Sequence, residues 1–208
     1  MHVKNASQEQ ERKRLGLFKD VFRKKEISLW HIAERHINNA EALYAIAHGK
    51  FSLRGVLYPR NKDPVLEAAN LYHAAAIDFI VSGHPLRAAE SFERSADLLI
   101  EHCNDKAAKL YLIKINSGAV PHVFPPDHNN AVEAAMARPF ASTLNLAAWD
   151  YLTASVLYGE GHRRGRSRSY EAAFKIFTDL GFNANDMSKA MSRTEVFVSR
   201  VANQAQQS

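Results

Sequence analysis

The chain has 208 residues, of which 46% are hydrophobic, enough for one continuous core or two small ones without covalent staples. Its single cysteine, Cys103, excludes an internal disulfide, and the lack of any run of 18 or more apolar residues excludes a membrane-spanning helix. No stretch combines a charged start, a short apolar core and a small-residue cleavage site, so a reducing, cytoplasmic setting is expected. The formal net charge of +5 is local: residues 1–25 hold eight basic side chains against three acidic ones, and the remainder carries 19 of each sign. A basic arm on a neutral body is the resulting picture, and a global electrostatic case for nucleic-acid binding fails.

Apolar residues recur at three- and four-residue spacing, and alternating runs rich in Val, Ile and Thr are nearly absent, which predicts an all-α fold. Helices are expected over about 9–24, 27–48, 64–82, 85–102, 105–117, 129–137, 139–159, 168–180 and 185–204. In the arm, Leu15, Leu17, Phe18, Val21 and Phe22 form an apolar stripe among lysines and arginines. Such a helix can dock on its own body, lie on anionic lipid or pair with a second protomer.

Further on, Asp63-Pro64 reads as an N-cap followed by the first helical position, where a missing amide hydrogen costs nothing. Gly83 stands where the 64–82 helix needs a left-handed residue to stop, His84-Pro85 opens the next helix, and Asn104-Asp105 supplies a further cap. The three prolines Pro121, Pro125 and Pro126 divide the helical body near 119–127, giving two lobes or a bent array. The domains expected are thus the arm, 1–25, and a helical domain, 26–208.

Ala69, Tyr72, Ala75, Ala76 and Phe79 share one face of the 64–82 helix, and Ala88, Phe92, Ser95 and Ala96 form the matching face of its successor. Rings alternating with very small side chains suit two antiparallel helices that approach closely. The stretch from Tyr72 to Ser95, with Gly83 at the bend, resembles a tetratricopeptide repeat, and its Ala-Ala-x-x-Tyr-x-x-Ala-Ala pattern is similar to the helical sheet of SNAP-type attachment proteins. The resemblance covers about one repeat. Gly49, Gly83 and Gly118 recur at close to the 34-residue length of that class. Tyr170 to Phe174, followed by Phe177 and Gly181, reads as a second hairpin element, with 139–159 preceding it. The closing proline of the repeat is replaced near Ile100, and Gly55 and Pro59 break the segment 50–62, so a degenerate array of antiparallel hairpins is the form implied.

In such an array the first helix of a hairpin lines a concave groove. The resemblance therefore implies a partner-binding face formed by Asn70, His73 and Ile77, with polar groups for a peptide backbone and one apolar anchor. A second candidate is the segment His162 to Arg168. There Arg163, Arg164, Arg166 and Arg168 precede a helix and could hold an anion or acidic partner, with no acid in sequence nearer than Glu160 and Glu171. No aromatic residue interleaves with these arginines, so stacking on single-stranded bases is not indicated.

Ten histidines invite a metal or catalytic reading that their spacing defeats. His31 and His36, five apart, fall on different faces of a helix, and His102 beside Cys103 has no second pair at zinc-finger spacing. Walker A, Gly-x-Ser-x-Gly and the Arg-x4–6-His signature of helical HEPN ribonucleases are missing, the nearest match to the last being Arg94 and His102. The expectation is a non-enzymatic adaptor, without cofactor or metal, that holds a peptide or helix of another protein between hairpins. The alternative is a nucleic-acid or anion-binding regulator using the arm and the arginines.

Overall fold

A computed structural model of the chain describes residues 27–48, 63–116 and 141–207, excepting the side chains of 105–116 and 204–207. The basic arm, the helices expected over 9–24 and 129–137, the segment 50–62 and the boundary near 119–127 lie outside the described residues. Within them the chain forms helices α1 (27–47), α2 (Pro64–Val81), α3 (Pro85–Asn116), α4 (Ala141–Tyr158), α5 (Arg163–Asp179) and α6 (Ala184–Gln207), and no strand.

Helix α2 begins as its sequence dictates. The Asp63 carboxylate accepts from the amides of Val65 at 3.1 Å and Leu66 at 3.4 Å, and Pro64 occupies the first turn. It ends in a Schellman motif: the His84 amide donates to Phe79 O, the Gly83 amide to Ile80 O, and Gly83 takes a φ of 78°. The same device ends α5, with Phe182 bonded back to Phe177 O, Gly181 to Thr178 O, and Gly181 at a φ of 89°. Asn183 then opens α6 with a reciprocal box: its side chain accepts from Asn185 and Asp186, and its own amide donates to Asp186 Oδ2.

Two expected boundaries are corrected. Helix α3 runs unbroken through Asn104-Asp105, where a cap between two helices was expected. Those residues weaken a helix but do not stop it, and neither proline nor glycine intervenes between Pro85 and Gly118. The 162–168 stretch is not a loop: α5 begins at Arg163, and all four arginines are helical. His162 provides no capping hydrogen bond and the first turn carries no acid, so the usual start signals are missing. Contacts from other helices hold this turn instead.

Helices α2 and α3 form the expected antiparallel hairpin. Phe79 and Phe92 are buried in one cluster with Ala75, Ala76, Ala88 and Ala89. Helix α1 lies along this pair through Ala33 and Ala40, with the Trp30 ring edge-on to Phe79 at 5.1 Å. Next, α3 packs on α4, and α4 on both α5 and α6. Leu152 of α4, Ala173 and Phe177 of α5, and Met187 and Ala190 of α6 form their own cluster. Helix α6 then returns to α2, inserting Val201 into the Phe79–Phe92 cluster. The last helix thereby bridges two core clusters.

A candidate protein-binding groove between the last two helices

Helix α5 has two faces that differ in use. Ser169, Ala173 and Phe177, four residues apart, are buried. On another face Arg163, Arg166, Ser167, Tyr170 and Phe174 line a groove of about 610 Å³, whose opposite wall is Ala184, Met187, Ser188 and Met191 of α6. Tyr170 and Phe174 stack with centroids 6.3 Å apart and an interplanar angle of 27°, yet remain 37% and 45% exposed. Met187 is buried at the base of the groove. Two aromatic rings facing flexible thioethers make an apolar surface that adapts to the shape of what it meets.

The arginines divide between this groove and the body. Arg168 turns to α3, where its Nη2 lies 2.6 Å from Glu93 Oε2. Glu93 is nearly buried and also accepts from the Tyr158 hydroxyl at 2.7 Å and from the Ser169 hydroxyl. This carboxylate pins the first turns of α5 to α3 and α4 and raises the Arg168 pKa through its hydrogen bond and charge. Burial and the bond to Glu93 push the Tyr158 hydroxyl pKa upward, so it remains a donor. Among the described residues Arg166 pairs with the exposed Glu160, at 3.4 Å. Arg163 and Arg164 are exposed and meet no acid among the described residues. The cationic patch expected from sequence is therefore narrower: Arg168 is tied to Glu93, Arg163 and Arg166 line the groove, and Arg164 is exposed outside its lining.

The face expected on α2 has a mixed fate. Asn70 is exposed. His73, one helical turn further along the same face, bonds through Nδ1 to Asp150 Oδ1 of α4 at 2.9 Å and stands edge-on to Phe92 at 5.2 Å. Ile77 packs, half-buried, against the cluster that contains Val201. The structure thus separates the three by environment, with α4 and α6 sharing the side of α2 on which they lie.

Three further histidines also face acids: His36 faces Asp78 at 3.4 Å, His48 faces Glu101 at 2.7 Å, and His102 faces Asp63 at 3.1 Å. Among the described residues no three His, Cys, Asp or Glu side chains converge as a metal would need. Sequence reasoning missed Tyr170, Phe174, Met187 and Met191 as site residues. Their signal was the width of the apolar arc on α5, where Tyr170 and Phe174 form a second stripe beside Ala173 and Phe177, wider than one neighbouring helix can cover.

Comparison with protein families, curated proteins and solved structures returns no match.

Proposed function

We propose that this protein is a helical adaptor, a degenerate array of hairpins of the tetratricopeptide kind, that holds an apolar segment of a partner protein in the α5–α6 groove. One observation carries the reading. Tyr170 and Phe174 are stacked and exposed in a groove that Met187 and Met191 also line, in a chain whose other described aromatic residues are mostly covered. Exposed contiguous apolar surface of this kind marks interaction sites rather than solvated faces. The tight α2–α3 hairpin supports the array, and it gives the groove a rigid foundation through Glu93 and Arg168. The α2 face of Asn70, His73 and Ile77 is the secondary candidate, because only Asn70 is fully open there.

A photo-crosslinking residue placed at Phe174, with one at the exposed Asn203 as control, tests the proposal in cells. The expected result is an adduct at position 174 that maps to one apolar segment of one partner and disappears when Met191→Glu is added. Equal adducts at both positions would remove the groove as the binding site.

A further inference from the structure

Resting on that groove, we infer that its occupant is an acidic amphipathic helix, with apolar residues on Tyr170, Phe174, Met187 and Met191 and carboxylates toward Arg163 and Arg166. Two arguments define this occupant, one from backbone chemistry and one from charge. The groove lies between two helices, whose mid-helix amides and carbonyls are satisfied within each helix. An extended peptide would find no strand edge to pair with, whereas a helix brings its backbone polar groups already bonded. From Arg163 to Phe174 the lining spans roughly 16 Å at 1.5 Å per residue, room for about three turns of a docked helix.

Charge then selects the sequence of that helix. Arg163 and Arg166 line the groove, and among the described residues the carboxylate paired with them is Glu160, 87% exposed and 3.4 Å from Arg166, while Glu171 is occupied with the hydroxyl of the lining Ser167 at 3.0 Å. The solvated pair of Arg166 and Glu160 contributes little and gives way readily to a partner carboxylate. The chain's own basic arm, with eight cationic residues against three acidic ones, is repelled by these arginines despite its apolar stripe. A second copy in head-to-head register would bring its own arginines to the same place. A helix with Glu or Asp on its polar face has neither conflict, and complementary charge raises its rate of encounter and fixes its direction.

The test uses the full chain and three fluorescent synthetic peptides of about five turns, read by anisotropy. The first has an apolar stripe with Glu elsewhere, the second the same stripe with Lys, and the third keeps Glu but replaces the stripe with Ser. The expected outcome is that the Glu peptide binds at least about tenfold more tightly than either of the others at low salt and weakens as salt is raised. Phe174→Ala and Phe174→Asp, at an exposed position that spares the core, should each weaken the Glu peptide strongly, and Arg163→Ser with Arg166→Ser should remove its advantage over the Lys peptide. Equal binding of Glu and Lys peptides, lost in Phe174→Asp, would overturn the acidic occupant and leave the groove standing. Failure of all three peptides to bind, or indifference to Phe174→Asp, would overturn both. An oligothymidylate that displaces the Glu peptide and binds more tightly would place nucleic acid there instead. A concentration-dependent dimer dissolved by Phe174→Asp would assign the groove to a second copy.

Discussion

His73 on α2 holds its Nδ1 2.9 Å from Oδ1 of Asp150 on α4, joining helices separated by 77 positions in sequence. Asp150 is buried, and its other carboxylate oxygen meets no partner among the described residues. A buried carboxylate with one strong donor depends on that donor, although His73, 34% exposed, keeps the cost of losing it below that of breaking a fully buried pair. Burial alone would lower the His73 pKa, but the hydrogen bond and charge of Asp150 outweigh it and the net direction is upward.

The pH dependence follows with a definite sign. A histidine whose folded pKa lies above its ordinary value near 6.5 adds stability that is fully present below that value and is lost as pH rises through the folded pKa. Urea unfolding of the wild type and of Asp150→Asn across this range should therefore show a stability difference that shrinks as pH increases. NMR titration should find the His73 midpoint above 6.5 in the wild type and, with burial acting alone in the variant, below it. A difference independent of pH would show that the imidazole is not charged by its pairing.

Phe92 is 1% exposed and shares its cluster with Phe79, Ala75 and Ala76 of the facing helix. Alanine at 92 would open a cavity between α2 and α3 and remove the ring against which His73 stands. Phe92→Ala should lower stability by about 3–5 kcal/mol, measured by urea or thermal unfolding. An equally stable variant would mean that the hairpin packs in another register.

The parts of this fold that were legible in the sequence are those set by local chemistry. Asp63-Pro64, Gly83 and Gly181 occupy the positions that their backbone preferences require, and the ring and alanine alternation from Tyr72 to Ala96 gave the hairpin its faces. The misses are tertiary. Glu93 lies 75 residues before Arg168, and no spacing rule connects them, so four neighbouring arginines looked free when one was bound. The start of α5 was hidden for the same reason, since Glu93 rather than a capping side chain holds its first turns. The groove escaped notice because Tyr170 and Phe174 look like core residues until the position of α4 shows that Ala173 and Phe177 already fill that role.

Cys103 is fully buried, and desolvation pushes its thiol pKa up to about 11. The thiolate is the reactive form, so both access and ionisation oppose modification in the native protein. Ellman's reagent should label Cys103 slowly under native conditions and rapidly in denaturant, with the native rate following global or local unfolding. Rapid labelling of the folded chain would show that the end of the α2–α3 hairpin opens independently of the rest.

Gly165 sits in the first turn of α5, where a Cβ would stand 3.0 Å from Cε2 and Cζ of the Tyr158 ring. Glycine to alanine within a helix ordinarily gains up to about 1 kcal/mol, so the local expectation is stabilisation. The ring, however, is not free to retreat: its hydroxyl donates to Glu93, and the same carboxylate holds Arg168 and Ser169 of α5. Moving Tyr158 away from a new methyl group would stretch that bond, while moving α5 would disturb the other two. The steric term should win, with Gly165→Ala destabilising the protein by about 1–2 kcal/mol, within the usual range for overpacking. A double-mutant cycle separates the two effects, because in a Tyr158→Ala background the clash is gone and the same substitution should become neutral or stabilising. If Gly165→Ala stabilises the wild-type chain, α5 does not approach the Tyr158 ring as closely as the structure places it, and the anchoring of the groove through Glu93 loses its geometric basis.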